Sequence, residues 1–210
     1  MYVPPAFAEK NLETLHALIE DHGFAMLVSN GPAGLVATHL PIMIDRARGT
    51  QGTLVAHLAR ANPHARDLDG ADVLAIFQGP HGYISPSWYG QHPSVPTWNY
   101  AAVHAYGRAR VVNDPAQLDA MVRALVHQYE SGRGKPWTMD HLSADYMKGM
   151  LRGIVGIEIE IARLEGKLKL SQNRNAADRK AVIAALADSD SAEDQALGAY
   201  MARHAAPPSG

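Results

Sequence analysis

Cysteine is absent from the 210 residues, so disulfides, thiolate zinc sites and thiol nucleophiles are excluded, and a reducing compartment suits the chain. Long apolar runs are absent as well. Every hydrophobic stretch is broken by Gly, Pro, His or a charge before it reaches the ~20 residues of a membrane helix. Charge of one sign is lacking: 19 basic against 21 acidic residues give a formal net charge of −2. Nothing on the scale of the whole chain therefore draws it to nucleic acid or an anionic membrane. The opening Met1-Tyr2-Val3-Pro4-Pro5 has no basic stretch leading into an apolar one, so no secretory signal is read there and a cytoplasmic location is expected. HExxH, G-x-S-x-G and the glycine-rich phosphate loops are all missing. Of the 11 histidines, those at 57, 64, 81, 92 and 104 cluster in one half of the chain but lack ligand spacing, so no metal is expected.

What is present is an ordinary globular composition, 47% hydrophobic and 19% charged, long enough for one well-buried core. Residues 11–22 read as a helix, with Asn11 as cap, Leu12, Leu15, Leu18 and Ile19 on one face, and Gly23 as stop. Stretches at 24–29, 35–44, 53–58, 73–77, 97–112 and 154–170 read as strands. Pro41 suggests an edge or a bulge. Gly79-Pro80 breaks the strand that begins at 73, Tyr83 and Ile84 resume it, and Gly107 interrupts the long strand. Asn62-Pro63 starts a short helix running to Leu68. Helices are expected at 115–129, 143–151, 176–186 and 193–204, with a loose Pro207-Pro208-Ser209-Gly210 at the end. Six or seven strands joined mostly by short links, with helices before, between and after them, argue for an antiparallel barrel and against a parallel βαβ sheet. The fold class is thus mainly β with helices (α+β). A single domain is read, a barrel over 1–172 with 173–210 as its helical C-terminal extension.

Four segments carry chemistry. In His57-Leu58-Ala59-Arg60-Ala61-Asn62-Pro63-His64 an arginine sits between a strand and a helix start, where a forked guanidinium and unpaired N–H groups suit a phosphate. A carboxylate pair for Arg60 and a simple cap for Asn62 explain the same residues. Phe77-Gln78-Gly79-Pro80-His81-Gly82-Tyr83-Ile84-Ser85-Pro86-Ser87-Trp88-Tyr89 and Val95-Pro96-Thr97-Trp98-Asn99-Tyr100 mix rings with amides and hydroxyls, a set that suits a planar heteroaromatic ligand. Taken singly, Trp88 and Trp98 read equally well as core anchors. In Gly166-Lys167-Leu168-Lys169-Leu170-Ser171-Gln172-Asn173-Arg174, Lys167, Lys169 and Ser171 would share a strand face, either to meet an anion or partner subunit or to keep an edge strand solvated.

Together with Met1-Tyr2-Val3-Pro4-Pro5-Ala6-Phe7, Thr38-His39-Leu40-Pro41 and Glu165-Gly166-Lys167, these segments resemble, in order and over nearly the whole chain, the PaiB-type FMN-binding proteins, often called FMN-binding negative transcriptional regulators. The resemblance implies a split β-barrel related to pyridoxamine-phosphate oxidase and small flavin reductases. It also implies a homodimer with FMN in a groove between subunits. Carried onto this chain, Arg60 is the leading phosphate ligand, with His57, Leu58, Ala59 and Asn62 lining the flavin. Gln78, Ser85 and Trp88 would come from the partner subunit, Thr97, Trp98 and Asn99 would complete the wall, and Lys167 would add a cation. No catalytic residue is evident. The implied function is negative regulation of transcription, directly or through a partner. The alternative is an FMN-dependent oxidoreductase or flavin reductase. DNA binding is not evident: no clear helix-turn-helix is read, and Arg174, Arg179 and Lys180 form only a small basic patch.

Overall fold

The computed structural model describes residues 1–32 and 34–205; the expected loose Pro207-Pro208-Ser209-Gly210 lie outside the described residues. In chain order the elements are β1 (Ala8–Glu9), α1 (Leu12–Asp21), β2 (Phe24–Gly31), β3 (Gly34–Asp45), β4 (Thr53–Ala59), β5 (Asp72–Ile84), β6 (Thr97–Val112), α2 (Pro115–Glu130), α3 (Ala144–Arg152), β7 (Ile154–Lys169), α4 (Ala176–Ala187) and α5 (Ala192–Ala205). Short 3-10 turns occur at Pro5–Phe7, Pro63–Asp67 and Pro86–Trp88. The chain forms two compact units, one of residues 1–18, 78–103 and 165–210, the other of 19–77 and 104–164. β5, β6 and β7 each contribute to both.

The second unit holds the barrel. Its antiparallel ladders run β7-β4-β3-β2-β5-β6, and β6 pairs again with β7, which closes the sheet. Alternation places Ala25, Leu27 and Ser29 of β2 inward, with Met26 and Val28 half-exposed. Leu27, Ile42, Leu54, Phe77, Ile157, Ile159 and Ile161 are almost wholly excluded from solvent. Each such side chain contributes roughly 1.5–3 kcal/mol of burial.

Pro41 ends the stretch of β3 that is paired on one side only, the edge position expected of it. β3 pairs with β2 through Pro41↔Phe24 and with β4 from Ile42↔Ala56 onward, so the proline stands where the partner changes. There the ladder resumes at once, with Ile42 N donating to Gly23 O across 2.7 Å. β5 runs unbroken through Gly79-Pro80, and β6 through Gly107. Proline's fixed φ is compatible with extended backbone. Gly107 serves a close approach: a Cβ there would meet the Glu160 carbonyl and stand 2.7 Å from Ile159 Cγ2, on the neighbouring β7.

In the first unit β1 pairs with the end of β7, Ala8↔Lys167 and Glu9↔Gly166. α4 and α5 pack as a hairpin whose inner faces bury Val182, Leu186, Leu197, Tyr200 and Met201. Asp178, at the start of α4, accepts from Gly90 N at 2.8 Å and from Asn175 Nδ2 at 3.1 Å, tying the loop after Pro86–Trp88 to the helix. Among the described residues no helix is long and apolar enough to cross a membrane.

Candidate functional site

In the barrel unit, β4 ends in the segment that carries Arg60. His57 is half-buried, and burial pushes its imidazole below the ordinary 6.5, so the ring is neutral at physiological pH. Leu58 points into the core and Ala59 outward. Among the described residues Arg60 has no carboxylate partner. Its Nε donates to Arg152 O at 3.0 Å, Nη2 to Ile154 O at 2.7 Å and Nη1 to Asn113 Oδ1 at 2.9 Å. Three of five N–H groups are thereby used and the positive charge stays uncompensated.

Asn62 caps the 3-10 turn, its Oδ1 accepting from His64 N at 3.0 Å, and its Nδ2 reaches Thr38 Oγ1 at 3.3 Å. His64 follows as a buried hub that the spacing of residues did not signal. Its Nε2 lies 2.8 Å from Ser29 Oγ and its Nδ1 2.8 Å from Thr38 Oγ1. Burial lowers its pKa, with Asp67 opposing in part. The contacts join β2, β3 and the turn, so they arise from tertiary structure alone.

In the other unit β5 and β6 build a wall of rings. Trp98 is 55% exposed. His81 stacks on it at a centroid separation of 6.5 Å and 25° between planes, and Tyr83 meets it edge-on at 6.4 Å. Gln78 Nε2 lies 3.3 Å from His81 Nδ1. The wall is fixed from behind: Lys169 Nζ donates to Trp98 O at 2.6 Å and to Thr97 Oγ1. Asn99 is buried, and its Nδ2 donates to Ser171 Oγ at 2.9 Å. Ser85 caps the turn of Trp88, which is half-buried.

Lys167 and Lys169 are neither solvated nor free. Lys167 Nζ donates to Tyr2 O at 3.1 Å and lies 5.1 Å from the Tyr100 ring centre. Burial, with Lys167 nearby, lowers the Lys169 pKa. β7 stops at Lys169, so Ser171 does not continue the strand face. The structure thus gathers His57, Leu58, Ala59, Arg60 and Asn62 in the barrel unit. It gathers Gln78, Ser85, Trp88, Thr97, Trp98, Asn99 and Lys167 in the other.

An open ring wall with amide and cationic neighbours has the donor set of a site for a flat, hydrogen-bonding ring system. The family described as "Putative FMN-binding domain" matches residues 1–163. The chain belongs to this FMN-binding family. A member-like relative, "Protease synthase and sporulation protein PAI 2" of Bacillus subtilis, is 35% identical over 96% of each chain. An uncharacterized protein of Emericella nidulans is 32% identical, covering 87% of this chain and 89% of its own. Among solved structures, the flavocytochrome Anf3 of Azotobacter vinelandii superposes with a TM-score of 0.61 at 16% identity, over 83% of this chain and 75% of its own. A FAD- and haem-binding protein of Mycobacterium smegmatis does so with 0.56 at 17%, over 83% and 78%. At these identities the likeness is one of fold.

FMN is accordingly the cofactor of this FMN-binding family member, and the exposed Trp98–His81–Tyr83 face fits its ring system. Tyr83, His81 and Lys169 lie in segments singled out by sequence. Their joint placement was not legible there, because it depends on which strands lie side by side.

Proposed function

We propose that this chain is a flavin-dependent negative regulator of transcription that acts through a protein partner, as a homodimer that encloses FMN between subunits. Membership of the FMN-binding family and the sporulation-related name of the Bacillus relative support a regulatory flavoprotein. One observation favours the partner over direct DNA contact. α4 and α5 form a helix hairpin, but its turn and second helix start carry Asp188, Asp190, Glu193 and Asp194. Four carboxylates where a recognition helix would meet phosphates repel the duplex. Of the small basic patch, Arg174 is engaged elsewhere: it lies 4.1 Å over the Tyr89 ring and donates to Ser94 Oγ.

The flavin is assigned to the Trp98, His81 and Tyr83 face, with Gln78, Thr97 and Asn99 beside it and Trp88, Ser85 and Lys167 supporting its surroundings. In the barrel unit, Arg60, beside His57 and Asn62, directs its guanidinium to Arg152 O, Ile154 O and Asn113 Oδ1. Such an open ring face needs a second surface to exclude water, which supports the dimer. The test joins flavin titration, light scattering and fluorescence anisotropy with labelled promoter DNA at low salt. Flavin-bound dimers without DNA retention support the reading. Steeply salt-dependent DNA binding replaces the partner with direct contact, and a protein that takes up no FMN ends it.

His81 gives one reason for a second reading, an FMN-dependent oxidoreductase: an imidazole on the ring wall could exchange a proton with a reduced flavin. Bleaching of the bound flavin by NADH or NADPH, followed by reoxidation in air, distinguishes it.

A further inference from the structure

α3 is a surface helix with an apolar side, yet none of its residues is buried. Met147 and Leu151 turn instead toward a groove of about 560 Å³, whose opposite wall includes Leu118 of α2 and Leu142 of the connection. The volume lies within the ~300–1,000 Å³ of ordinary small-molecule sites. Its lining carries four cations, Arg60, Arg123, Lys148 and Arg152, against one acid, Asp119. Lys148 and Arg152 both line it, and neither has a carboxylate partner among the described residues. The acid on the wall, Asp119, is held by Arg123 at 2.8 Å. Arg60 closes the inner end with its guanidinium turned onto backbone carbonyls.

An apolar slot under two unanswered cations selects a particular chemistry. A neutral hydrocarbon leaves the charges unmet, and a polyanion has nothing to bond along the leucines and methionine. We propose that the α2–α3 groove is a second ligand site, distinct from the flavin wall, which binds a small amphiphilic anion: a carboxylate head at Lys148 and Arg152 on an acyl or aryl body lying between Leu118, Leu142, Met147 and Leu151. α3 is anchored through Leu151, which packs against the cluster of Leu118 and Met121, while its exposed positions leave the groove mouth open to a ligand.

The test is calorimetric titration of the FMN-loaded protein with decanoate, with decanol as the uncharged control. Saturable one-to-one binding of decanoate is expected, with decanol weaker by about tenfold or more. Lys148→Glu and Arg152→Glu, both at exposed positions, each weaken decanoate by a similar factor and leave the flavin spectrum unchanged. Met147→Trp fills the groove and abolishes the heat. Absence of saturable binding, equal binding of decanol, or displacement of decanoate by excess FMN overturns the proposal. So does a change of molar mass in Met147→Trp, which would make the groove a contact between copies of this chain. Loss of flavin binding alone would sink the flavin reading and leave the decanoate result standing.

Discussion

Asn99 donates its amide nitrogen to the Ser171 hydroxyl across 2.9 Å, and Ser171 holds a left-handed φ of 64°, alone among the described non-glycine residues. The bond links the start of β6 to the turn that follows β7. Arg174 N donates to Ser171 O at 2.9 Å and closes the same turn. A serine stays in this sparsely populated conformation only because its surroundings over-determine it. The turn is bonded to Asn99, the residue that follows Trp98 in β6, so it helps fix the strand that carries the exposed ring.

Replacing Asn99 by Leu removes the donor and strands a buried hydroxyl. The expected cost is about 1–3 kcal/mol in urea-induced unfolding. Ser171→Gly loses the same bond but relieves the left-handed backbone, so it should cost clearly less. Equal losses for the two variants would show that the backbone conformation is unstrained.

Glu158 gathers two cations: Arg48 donates to both its oxygens, at 2.9 and 2.7 Å, and Arg110 donates to one of them. The Arg48 hydrogen bond, chiefly, holds its carboxyl below the usual value of 4.5, against the opposing effect of burial. The stabilisation is therefore complete above about pH 4.5 and is lost as acidification carries the pH down through the lowered folded value. Glu158→Gln should flatten the acid limb of a thermal-stability profile. At neutral pH it should cost about 1 kcal/mol, since both arginines are largely exposed and screened. An unchanged acid limb would remove Glu158 from that role.

His64 should give a signature of the same sign, at milder pH. Burial holds its pKa under the ordinary 6.5, so above that value folded and unfolded chains are alike neutral. As pH falls below it, the unfolded chain takes up a proton that the folded one refuses, and stability declines until the folded value is passed. Melting temperature followed from pH 8 to pH 5 should fall, and His64→Gln, which can keep one bond to Ser29 or Thr38, should show a shallower fall.

Gly107→Ala should be among the most damaging single substitutions. The added Cβ would meet backbone of β7, which cannot swing aside as a flexible side-chain tip can. The loss should reach the upper end of the ~1–3 kcal/mol typical of overpacking, or prevent folding. Gly34→Ala, where nothing lies within 4 Å, isolates the effect of its φ of 104° from that of crowding. A smaller loss at Gly107 than at Gly34 would contradict the close approach.

At the flavin wall, Trp98→Ala should weaken FMN binding about tenfold or more, since base-like rings gain about 1–3 kcal/mol from an aromatic platform. It should change stability little, because the indole is more exposed than buried. Arg60→Ala should cost stability through the lost strand-end bonds to Arg152 O and Ile154 O, read as a lower midpoint of urea-induced unfolding.

Local sequence determined most of the elements, because their signals are short-range. Asn11, Asn62, Asp114, Ser143 and Asn175 each cap a helix or turn through a side chain bonded within three residues, and period-two alternation marks the strands. The same local rules misread Gly79-Pro80 and Gly107. They treat Gly and Pro as breaks, whereas β5 runs on through Gly79-Pro80 and β6 uses Gly107 where two strands crowd together. Tertiary structure alone decided which chemistry-bearing residues meet. The His64 contacts to Ser29 and Thr38 span 35 and 26 residues, and the Asn99 contact to Ser171 spans 72. Strand register sets those distances, and register is a property of the closed sheet that no single segment contains.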